Sequence, residues 1–338
     1  MSAEKTISPK TIGVIGAGAW GTALAQMLAS DGSDVLLWAF EPEVAAAINS
    51  DHRNPLYLPS ATLAPTIRAT GELADFAAIE TVLVVTPAQV LGKVLAGLAT
   101  PPRDLVLCSK GIEAGTGRLM NDVAREASSR SAIAVLSGPT FAHEVAAGLP
   151  TAVTLACGGG IAQWQRLSPV IARPAFRPYY SDDVTGAEIG GAVKNVLAIA
   201  CGVVEGLALG QNARAALIAR GYAEMLRFGE ALGARTETLA GLCGLGDLVL
   251  TCSSTSSRNF SLGKALGEGA SAADLLADRR TVAEGAYTAP VLAALAETRG
   301  VAMPIVAAVD AILGGAHARK VVAELLARPL RAELESDV

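Results

Sequence analysis

The segment TIGVIGAGAWGTALAQMLAS, residues 11–30, decides the fold of this chain. A short run rich in β-branched residues leads into Gly16, Gly18 and Gly21, and a helical pattern follows directly. Glycines at this G-x-G-x-x-G spacing allow a tight turn, a close approach of the backbone to a pyrophosphate and close packing of the helix, whose N-terminus favours the anion. The segment therefore predicts a strand–turn–helix unit that binds a dinucleotide. A glycine-rich turn that serves packing alone is the alternative interpretation.

Further apolar runs, each closed by Gly, Pro or a polar residue, extend this pattern along the first half of the chain. They are DVLLWAF, TVLVVTP, DLVLCSKG, AIAVLSGP and TAVTLAC, and they alternate with helical segments. Such alternation predicts a Rossmann-type, doubly wound, mostly parallel sheet. After about residue 185 the strand pattern stops, and long alanine- and leucine-rich segments follow. We therefore expect a dinucleotide-binding Rossmann domain over residues 1-187 and an α-helical substrate domain over residues 188-338.

Composition narrows the possible partners. The chain has 338 residues, 51% of them hydrophobic, and a net charge of -5. That charge gives no general attraction to nucleic acid or to an anionic membrane, so a few local basic residues must meet any phosphate-bearing ligand. The uncharged run 145–165 contains Gly-Leu-Pro and Gly-Gly-Gly, which argue against a membrane span.

Cysteine usage and the N-terminal residues favour a cytoplasmic protein. The start, MSAEKTISPK, lacks the apolar central segment of a secretory signal. The five cysteines include no Cys-x-x-Cys pair, and the three histidines have no metal-ligand spacing. Reduced, buried thiols and no metal are therefore expected.

Polar residues at strand ends are the first candidates for ligand contacts, because the carboxyl ends of parallel strands face the ligand crevice. Glu41 lies 20 residues beyond Gly21, where an acidic side chain would accept a hydrogen bond from a ribose 2′-hydroxyl. Lys110 ends the run LVLCSK, and Gly138 and Thr140 follow AIAVLS. A solvated loop carboxylate and a solvated lysine are the alternatives for the two charged residues.

The run EIGGAVKNVLAIACGVVEG, residues 188–206, places Lys194 and Asn195 among small apolar residues. Burying an unpaired ammonium is costly, so this lysine must lie near a helix end, be paired, or take part in chemistry. Asp247, between a Gly-Leu-Gly turn and the apolar LVL of GLGDLVLTC, needs a cationic partner for the same reason. Lys194 is the obvious candidate for that partner.

Arg258 and Asn259 follow a Ser/Thr cluster and precede a possible helix at Phe260. A guanidinium offers paired donors, and the start of a helix offers backbone N–H groups, so the two together suit a phosphate group. A loop arginine in solvent is the alternative.

Several blocks in order carry a family resemblance: VIGAGAWGTALA, SKGIE, SGPTFAHEVAAGLPTA, GGAVKNVLAIACGVVEGL, RGYAEM, GLGDLVLTC, SRN and VAEG. From about residue 11 to residue 325 the chain closely resembles the bacterial NAD(P)-dependent glycerol-3-phosphate dehydrogenases. The resemblance implies a Rossmann domain followed by a helical substrate domain. It also implies reversible reduction of dihydroxyacetone phosphate to sn-glycerol 3-phosphate, a phospholipid precursor. An alanine-rich helical domain adds the expectation of a homodimer.

The resemblance also implies a set of site residues. Lys194 matches the family's proton acceptor, and Lys110 and Asp247 join it as expected catalytic residues. The expected substrate contacts are Lys110, Gly138, Thr140, Lys194, Asp247, Ser257, Arg258 and Asn259. Asn195 is added to them on chemical grounds, because beside Lys194 it can orient the substrate or the lysine. With the glycine motif and Glu41 included, the expected cofactor contacts are Gly16, Gly18, Ala19, Trp20, Gly21, Phe40, Glu41, Lys110, Ala142, Arg258, Val282 and Glu284.

Cofactor preference is where motif and family diverge. Many bacterial members of the family that this chain resembles have His or Arg where this chain has Phe40. A cation that would favour a 2′-phosphate is therefore missing at that position. Glu41 would repel a 2′-phosphate, and we therefore expect NADH to serve at least as well as NADPH. Arg53, beyond the second strand, is the alternative source of the missing cation.

The expected chemistry needs Lys194 in two protonation states. A protonated lysine stabilises the negative charge that builds on the ketone oxygen and delivers the proton, whereas the reverse reaction needs it neutral. An ordinary lysine has a pKa of about 10.4; desolvation lowers this value and a neighbouring Asp247 raises it, and the sequence leaves that balance open.

Two rival interpretations remain at this stage. A β-hydroxyacid-type dehydrogenase also joins a Rossmann domain to helices with a catalytic lysine, but it places an Asn about one turn after that lysine. Residues 196–199 offer no Asn. A non-catalytic dinucleotide-sensing protein would need neither a buried lysine nor a buried aspartate.

Overall fold

The fold is taken from a computed structural model, which describes residues 10–277 and 283–329. The apolar runs of the first half form one eight-stranded sheet. Its strands are β1 (Ile12–Ile15), β2 (Val35–Trp38), β3 (Ile67–Thr70), β4 (Thr81–Val84), β5 (Asp104–Leu107), β6 (Ala132–Ser137), β7 (Thr151–Cys157) and β8 (Phe176–Ser181).

The spatial order of the strands is β3-β2-β1-β4-β5-β6-β7-β8. All neighbours from β3 to β6 pair in parallel, β7 runs antiparallel to β6, and β8 runs parallel to β7. The order reverses between β1 and β4, which is the point of an open α/β sheet where dinucleotides bind. The predicted mostly parallel, doubly wound sheet is confirmed.

Two strands that the sequence analysis missed, β3 and β8, lie at the two edges of the sheet. β3 is only IRAT, with alternating burial, and β8 carries Pro178 and the exposed Tyr179 and Tyr180. Edge strands bury less side-chain surface than central ones, so neither needs the continuous apolar run that predicted the other six.

The chain divides into two compact units. The first contains the chain up to Lys110 together with Arg118–Glu188, and the second contains Gly111–Gly117 and the chain from Ile189 onward. In the first unit the helices pack on the sheet around a core that includes Val14, Leu24 and Leu37. These helices are α1 (Ala19–Leu28), α2 (Pro42–Asp51), α3 (Leu91–Ala96), α4 (Met120–Ala127), α5 (Ala142–Ala146) and α6 (Gly160–Ile171).

The named elements of the second unit are all helices over its described residues. Helix α7 (Val184–Gly206) begins at the end of the first unit and continues into the second. The helices that follow are α8 (Gly210–Ala231), α9 (Thr236–Leu239), α10 (Asp247–Cys252), α11 (Arg258–Gly267), α12 (Ala272–Ala277), α13 (Glu284–Thr298), α14 (Pro304–Leu313) and α15 (Ala318–Leu326).

The predicted Gly-Leu-Gly turn before Asp247 is wrong. Leu242–Gly246 form a π-helical turn that leads straight into α10, so the following LVL is helical. A Cβ on Gly244 would lie 1.9 Å from the carbonyl oxygen of Leu239, so the glycine is needed for close backbone approach. Packing, rather than turn chemistry, explains this glycine.

Helix α7 is long and apolar enough to cross a membrane by composition, yet the window that passes this test is 100% buried inside the protein. Its glycines explain how neighbouring helices come so close. A Cβ on Gly190 would lie 2.3 Å from Cys243 O, and one on Gly202 would lie 2.1 Å from Phe260 O. Backbone therefore packs on backbone both where α7 meets the turn before α10 and where it meets α11.

All five cysteines are buried and free, as expected from their number and spacing. Burial raises the pKa of Cys108 to about 12. That thiol therefore stays protonated at neutral pH.

Candidate active site

The glycine turn between β1 and α1 packs against protein backbone at two of its glycines and is open at the third. Gly16 has φ 114°, and a Cβ there would lie 3.0 Å from the carbonyl carbon of Val85. A Cβ on Gly21 would lie 1.8 Å from Gly16 O, whereas one on Gly18 would meet no atom within 4 Å. Gly16 and Gly21 are thus required by the backbone, and Gly18 leaves room for a ligand to approach.

The surroundings of this turn fit a dinucleotide. Ala19 and Trp20 begin α1, so its first N–H groups lie beside the turn. Trp20 Nε1 and Thr86 Oγ1 are buried polar atoms without a hydrogen-bond partner in the part of the chain that the structure describes. Thr86 follows β4, next to the point where the strand order reverses. The sequence analysis missed this residue, although it is a polar residue at a strand end, which is the pattern that pointed to Lys110.

The end of β2 presents two side chains of different character. Phe40 is 77% exposed. Glu41 is the residue before α2, and its Oε1 accepts a hydrogen bond of 2.7 Å from the hydroxyl of Tyr57. Glu41 is therefore held in place, which differs from the alternative of a solvated loop carboxylate.

The ends of β5 and β6 bring Lys110, Gly138 and Thr140 together. Gly138 O accepts hydrogen bonds from Lys110 Nζ and from Thr140 Oγ1, both at 3.3 Å. A Cβ on Gly138 would lie 2.9 Å from the Cα of Val153, so the close approach of β7 requires glycine here. Ala142 then begins α5.

In the second unit the predicted partner of Lys194 is confirmed. Its Nζ donates to Asp247 Oδ1 at 2.5 Å and to Thr251 Oγ1 at 2.9 Å, and the Thr251 hydroxyl donates to Asp247 Oδ1 at 3.3 Å. Lys194 is 6% exposed and Asp247 is 0% exposed. A buried ammonium is thereby neutralised and fixed in direction. Thr251 was missed because it shares a face with Asp247 only if the segment is helical.

Two buried thiols lie close to this ion pair. A hydrogen bond with Cys201, together with burial, raises the pKa of Cys252 well above its ordinary value. The Cys252 thiol is therefore neutral at neutral pH and adds no charge beside Lys194 and Asp247.

Asn195, the neighbour of Lys194, belongs to a second buried network. Asn259 Nδ2 donates to Asn195 Oδ1 at 3.0 Å, and Asn259 Oδ1 accepts from the backbone N–H of Gly285 at 2.9 Å. These hydrogen bonds connect α7 to α11 and to the start of α13, where Glu284 is the first residue.

The start of α11 has the form expected of an anion site. Ser257 is the N-cap residue, and its Oγ accepts a hydrogen bond from Phe260 N. Arg258 is the first residue of the helix and is exposed. Val282, the remaining expected cofactor contact, lies outside the described residues.

Comparison with known proteins identifies the family. The model of the NAD-dependent glycerol-3-phosphate dehydrogenase N-terminus matches residues 11–160, and that of the C-terminus matches residues 183–324. The chain is 78% identical over 326 residues to an NAD(P)+-dependent glycerol-3-phosphate dehydrogenase of Erythrobacter litoralis, covering 96% of this chain and 98% of the relative. The chain belongs to the NAD-dependent glycerol-3-phosphate dehydrogenase family.

Two solved structures agree with the fold, and one of them is a member of the same family. The glycerol-3-phosphate dehydrogenase of Coxiella burnetii is 38% identical, with a TM-score of 0.89 and coverage of 94% of this chain and 99% of that one. A D-mandelate dehydrogenase with NADH, 16% identical at a TM-score of 0.61, shares the fold alone and covers 93% of this chain and 99% of its own. The family, the α/β fold with a helical second part, and the NAD(P) cofactor expected from the sequence are confirmed.

Proposed function

We propose that Lys194 is the proton donor and acceptor of a glycerol-3-phosphate dehydrogenase that reversibly reduces dihydroxyacetone phosphate to sn-glycerol 3-phosphate. The observation that carries the proposal is the buried contact of Lys194 with Asp247 and Thr251 in a chain of this family. The family match favours this function over the two rivals, a β-hydroxyacid-type dehydrogenase and a non-catalytic dinucleotide sensor.

A reduced nicotinamide dinucleotide, when bound, would supply the hydride. As negative charge builds on the ketone oxygen, the Lys194 ammonium donates its proton to that oxygen; in the oxidation direction the neutral amine takes the proton from the hydroxyl. Asp247 and Thr251 hold Nζ in one direction, which fixes the line along which the proton moves. Asn195 orients the substrate from its own network with Asn259.

Phosphate recognition is assigned to the start of α11. Arg258 presents paired guanidinium donors, and the first N–H groups of the helix favour an anion. Ser257 and Asn259, on either side of it, are assigned to the same substrate. On this assignment we expect a phosphorylated ketone to be preferred to an unphosphorylated one.

Most of the cofactor contacts are assigned to the first unit. Gly16, Gly18 and Gly21 with the start of α1 take the pyrophosphate, because Gly18 leaves open space and the helix presents its N–H groups. Lys110 polarises the ketone, with Gly138 and Thr140 beside it. The rest of the assigned cofactor set is Ala19, Trp20, Phe40, Glu41, Ala142, Arg258, Val282 and Glu284.

Domain roles follow from these assignments. We assign residues 1-187 to dinucleotide binding and residues 188-338 to substrate binding and catalysis; the division into compact units near residue 188 supports this. A cytoplasmic homodimer that supplies glycerol 3-phosphate for glycerophospholipids completes the proposal, and five buried free thiols suit a reducing compartment. Light scattering of the purified protein tests the dimer.

The test is the oxidation of NADH and of NADPH, followed by absorbance, with dihydroxyacetone phosphate as substrate. Unphosphorylated dihydroxyacetone and a β-ketoacid serve as matched controls. We expect turnover with the phosphorylated ketone, and kcat/KM with NADH at least as high as with NADPH. Turnover confined to the β-ketoacid, or cofactor binding without any turnover, would reject the proposed function.

A further inference from the structure

A short segment after α2, residues 54–57, is hydrogen-bonded to the glycine turn. Asn54 is fully buried, and its Nδ2 donates to Ala17 O and to Thr22 Oγ1, each at 2.8 Å. Its Oδ1 accepts from the backbone N–H of Tyr57 at 3.1 Å. The same amide therefore fixes the carbonyl of the turn and the backbone from which the tyrosine extends.

From that fixed backbone, the Tyr57 hydroxyl reaches Glu41 and donates to its Oε1 at 2.7 Å. Within the described residues this is the one hydrogen bond that the Glu41 carboxylate accepts, so Oε2 is left for a ligand. Asn54 links this bond to the turn that is assigned to the pyrophosphate. The carboxylate is therefore fixed relative to the turn.

Holding Glu41 matters for the choice between two cofactors that differ by one phosphate. A glutamate side chain has several rotatable bonds, and an unrestrained one can turn away from a 2′-phosphate at small cost. A restrained carboxylate stays where it accepts the 2′-hydroxyl of NADH and repels the 2′-phosphate of NADPH. Phe40, which precedes Glu41, offers no positive charge to offset that repulsion.

We propose that Tyr57 is a positioning residue that sets the dinucleotide preference by holding Glu41 at the adenosine ribose. This inference rests on the proposed role of Glu41 and not on which ketone is reduced. The segment then has two functions. The amide of Asn54 holds the glycine turn, and the hydroxyl of Tyr57 maintains the preference for NADH over NADPH.

The experiment measures dissociation constants of NADH and NADPH by fluorescence titration of the full chain without substrate. It compares the parent with Tyr57→Phe, Glu41→Ala and the double variant. Tyr179→Phe, which removes a hydroxyl from an exposed tyrosine of β8, is the matched control. Ratios of kcat/KM for the two cofactors give a second readout, and melting temperatures check the fold.

We expect Tyr57→Phe to weaken NADH binding by about threefold to tenfold, the effect of one hydrogen bond, and to weaken NADPH binding less or not at all. Glu41→Ala shifts the ratio further in the same direction, and adding Tyr57→Phe to it changes the ratio no more. Tyr179→Phe leaves both constants at the parental values.

Three results would overturn the inference. Equal weakening of both cofactors by Tyr57→Phe would give the hydroxyl a structural role only. A ratio that shifts as much in the Glu41→Ala background would show that Tyr57 does not act through Glu41. An unchanged ratio in Glu41→Ala itself would remove Glu41 from the ribose, and the inference with it, while the reduction of dihydroxyacetone phosphate would still be measured as before.

Discussion

Replacing Lys194 by methionine tests whether one ion pair both supports the fold and performs the chemistry. Methionine keeps much of the length of the side chain but removes the ammonium. Asp247 is 0% exposed, and after the change its Oδ1 retains only the Thr251 hydroxyl, at 3.3 Å, of the two donors described above. The variant therefore leaves a buried carboxylate without its cation.

The size of the effect follows from that geometry. Removing one partner of a buried pair costs about 3–5 kcal/mol of stability, since the remaining charge is uncompensated. Removing a general acid–base group lowers turnover by about 10²- to 10⁴-fold. We expect losses of this order in the free energy of unfolding and in kcat, with the dissociation constant of NADH within a few-fold of the parent.

A double variant separates the two roles. Lys194→Met combined with Asp247→Leu removes both charges, and apolar replacement of a buried pair is often neutral for stability. We expect urea unfolding to show recovery of most of the lost stability, while NADH oxidation at saturating dihydroxyacetone phosphate remains as slow as in the single variant.

Two results would refute this reasoning. A folded Lys194→Met variant that turns over within a few-fold of the parent would remove the lysine from proton transfer. A double variant no more stable than the single one would show that loss of the Lys194 charge beside the Asp247 carboxylate is not the cause of the instability.

The remaining predictions concern the phosphate, the helix crossing and pH. Arg258→Ala should raise KM for dihydroxyacetone phosphate at least about tenfold more than KM for dihydroxyacetone, since each charge-assisted bond to phosphate contributes about 1.5–3 kcal/mol. An equal rise in KM for both substrates in steady-state assays would contradict the phosphate assignment. Gly263→Ala should lower both the melting temperature and kcat, because the new Cβ would lie 2.0 Å from Ile199 O; a melting temperature like that of the parent would argue against a tight crossing. Burial raises the pKa of Glu188 to about 8 from an ordinary value of 4.5. Between these two pH values the native state holds a proton that the unfolded state has released. The contribution of Glu188 to stability therefore falls as pH rises from about 4.5 to about 8. Glu188→Gln should therefore melt at a higher temperature relative to the parent at about pH 8 than at about pH 5 in calorimetric scans, and a constant difference would exclude this titration.

How far sequence reasoning reached depended on the range of the interactions involved. The glycine turn was predictable because two of its requirements are local: Gly16 has a φ of 114°, and a Cβ on Gly21 would lie 1.8 Å from Gly16 O. The partner of Lys194 was predictable because the cost of burying a charge demands a counter-charge wherever the chain places it. These two arguments do not depend on knowing the detailed packing.

The misses have physical reasons of their own. Edge strands β3 and β8 bury too little to leave an apolar run. Thr251 became visible only when GLGDLVLTC proved helical, because Asp247 and Thr251 are then one turn apart on the same face. The contact of Tyr57 with Glu41 spans 16 positions and an intervening helix, and no spacing rule anticipates it.

The adjacency of Lys194 and Asn195 constrains the length of α7. Consecutive residues of an α-helix differ by about 100° in direction, so Lys194 faces α10 while Asn195 faces α11. An insertion or deletion of a single residue between Gly190 and Lys194 would turn both side chains by that angle relative to the glycine contact with Cys243. The length of this part of α7 is therefore constrained, because the loss of one residue would misdirect both the proposed proton donor and the amide assigned to the substrate.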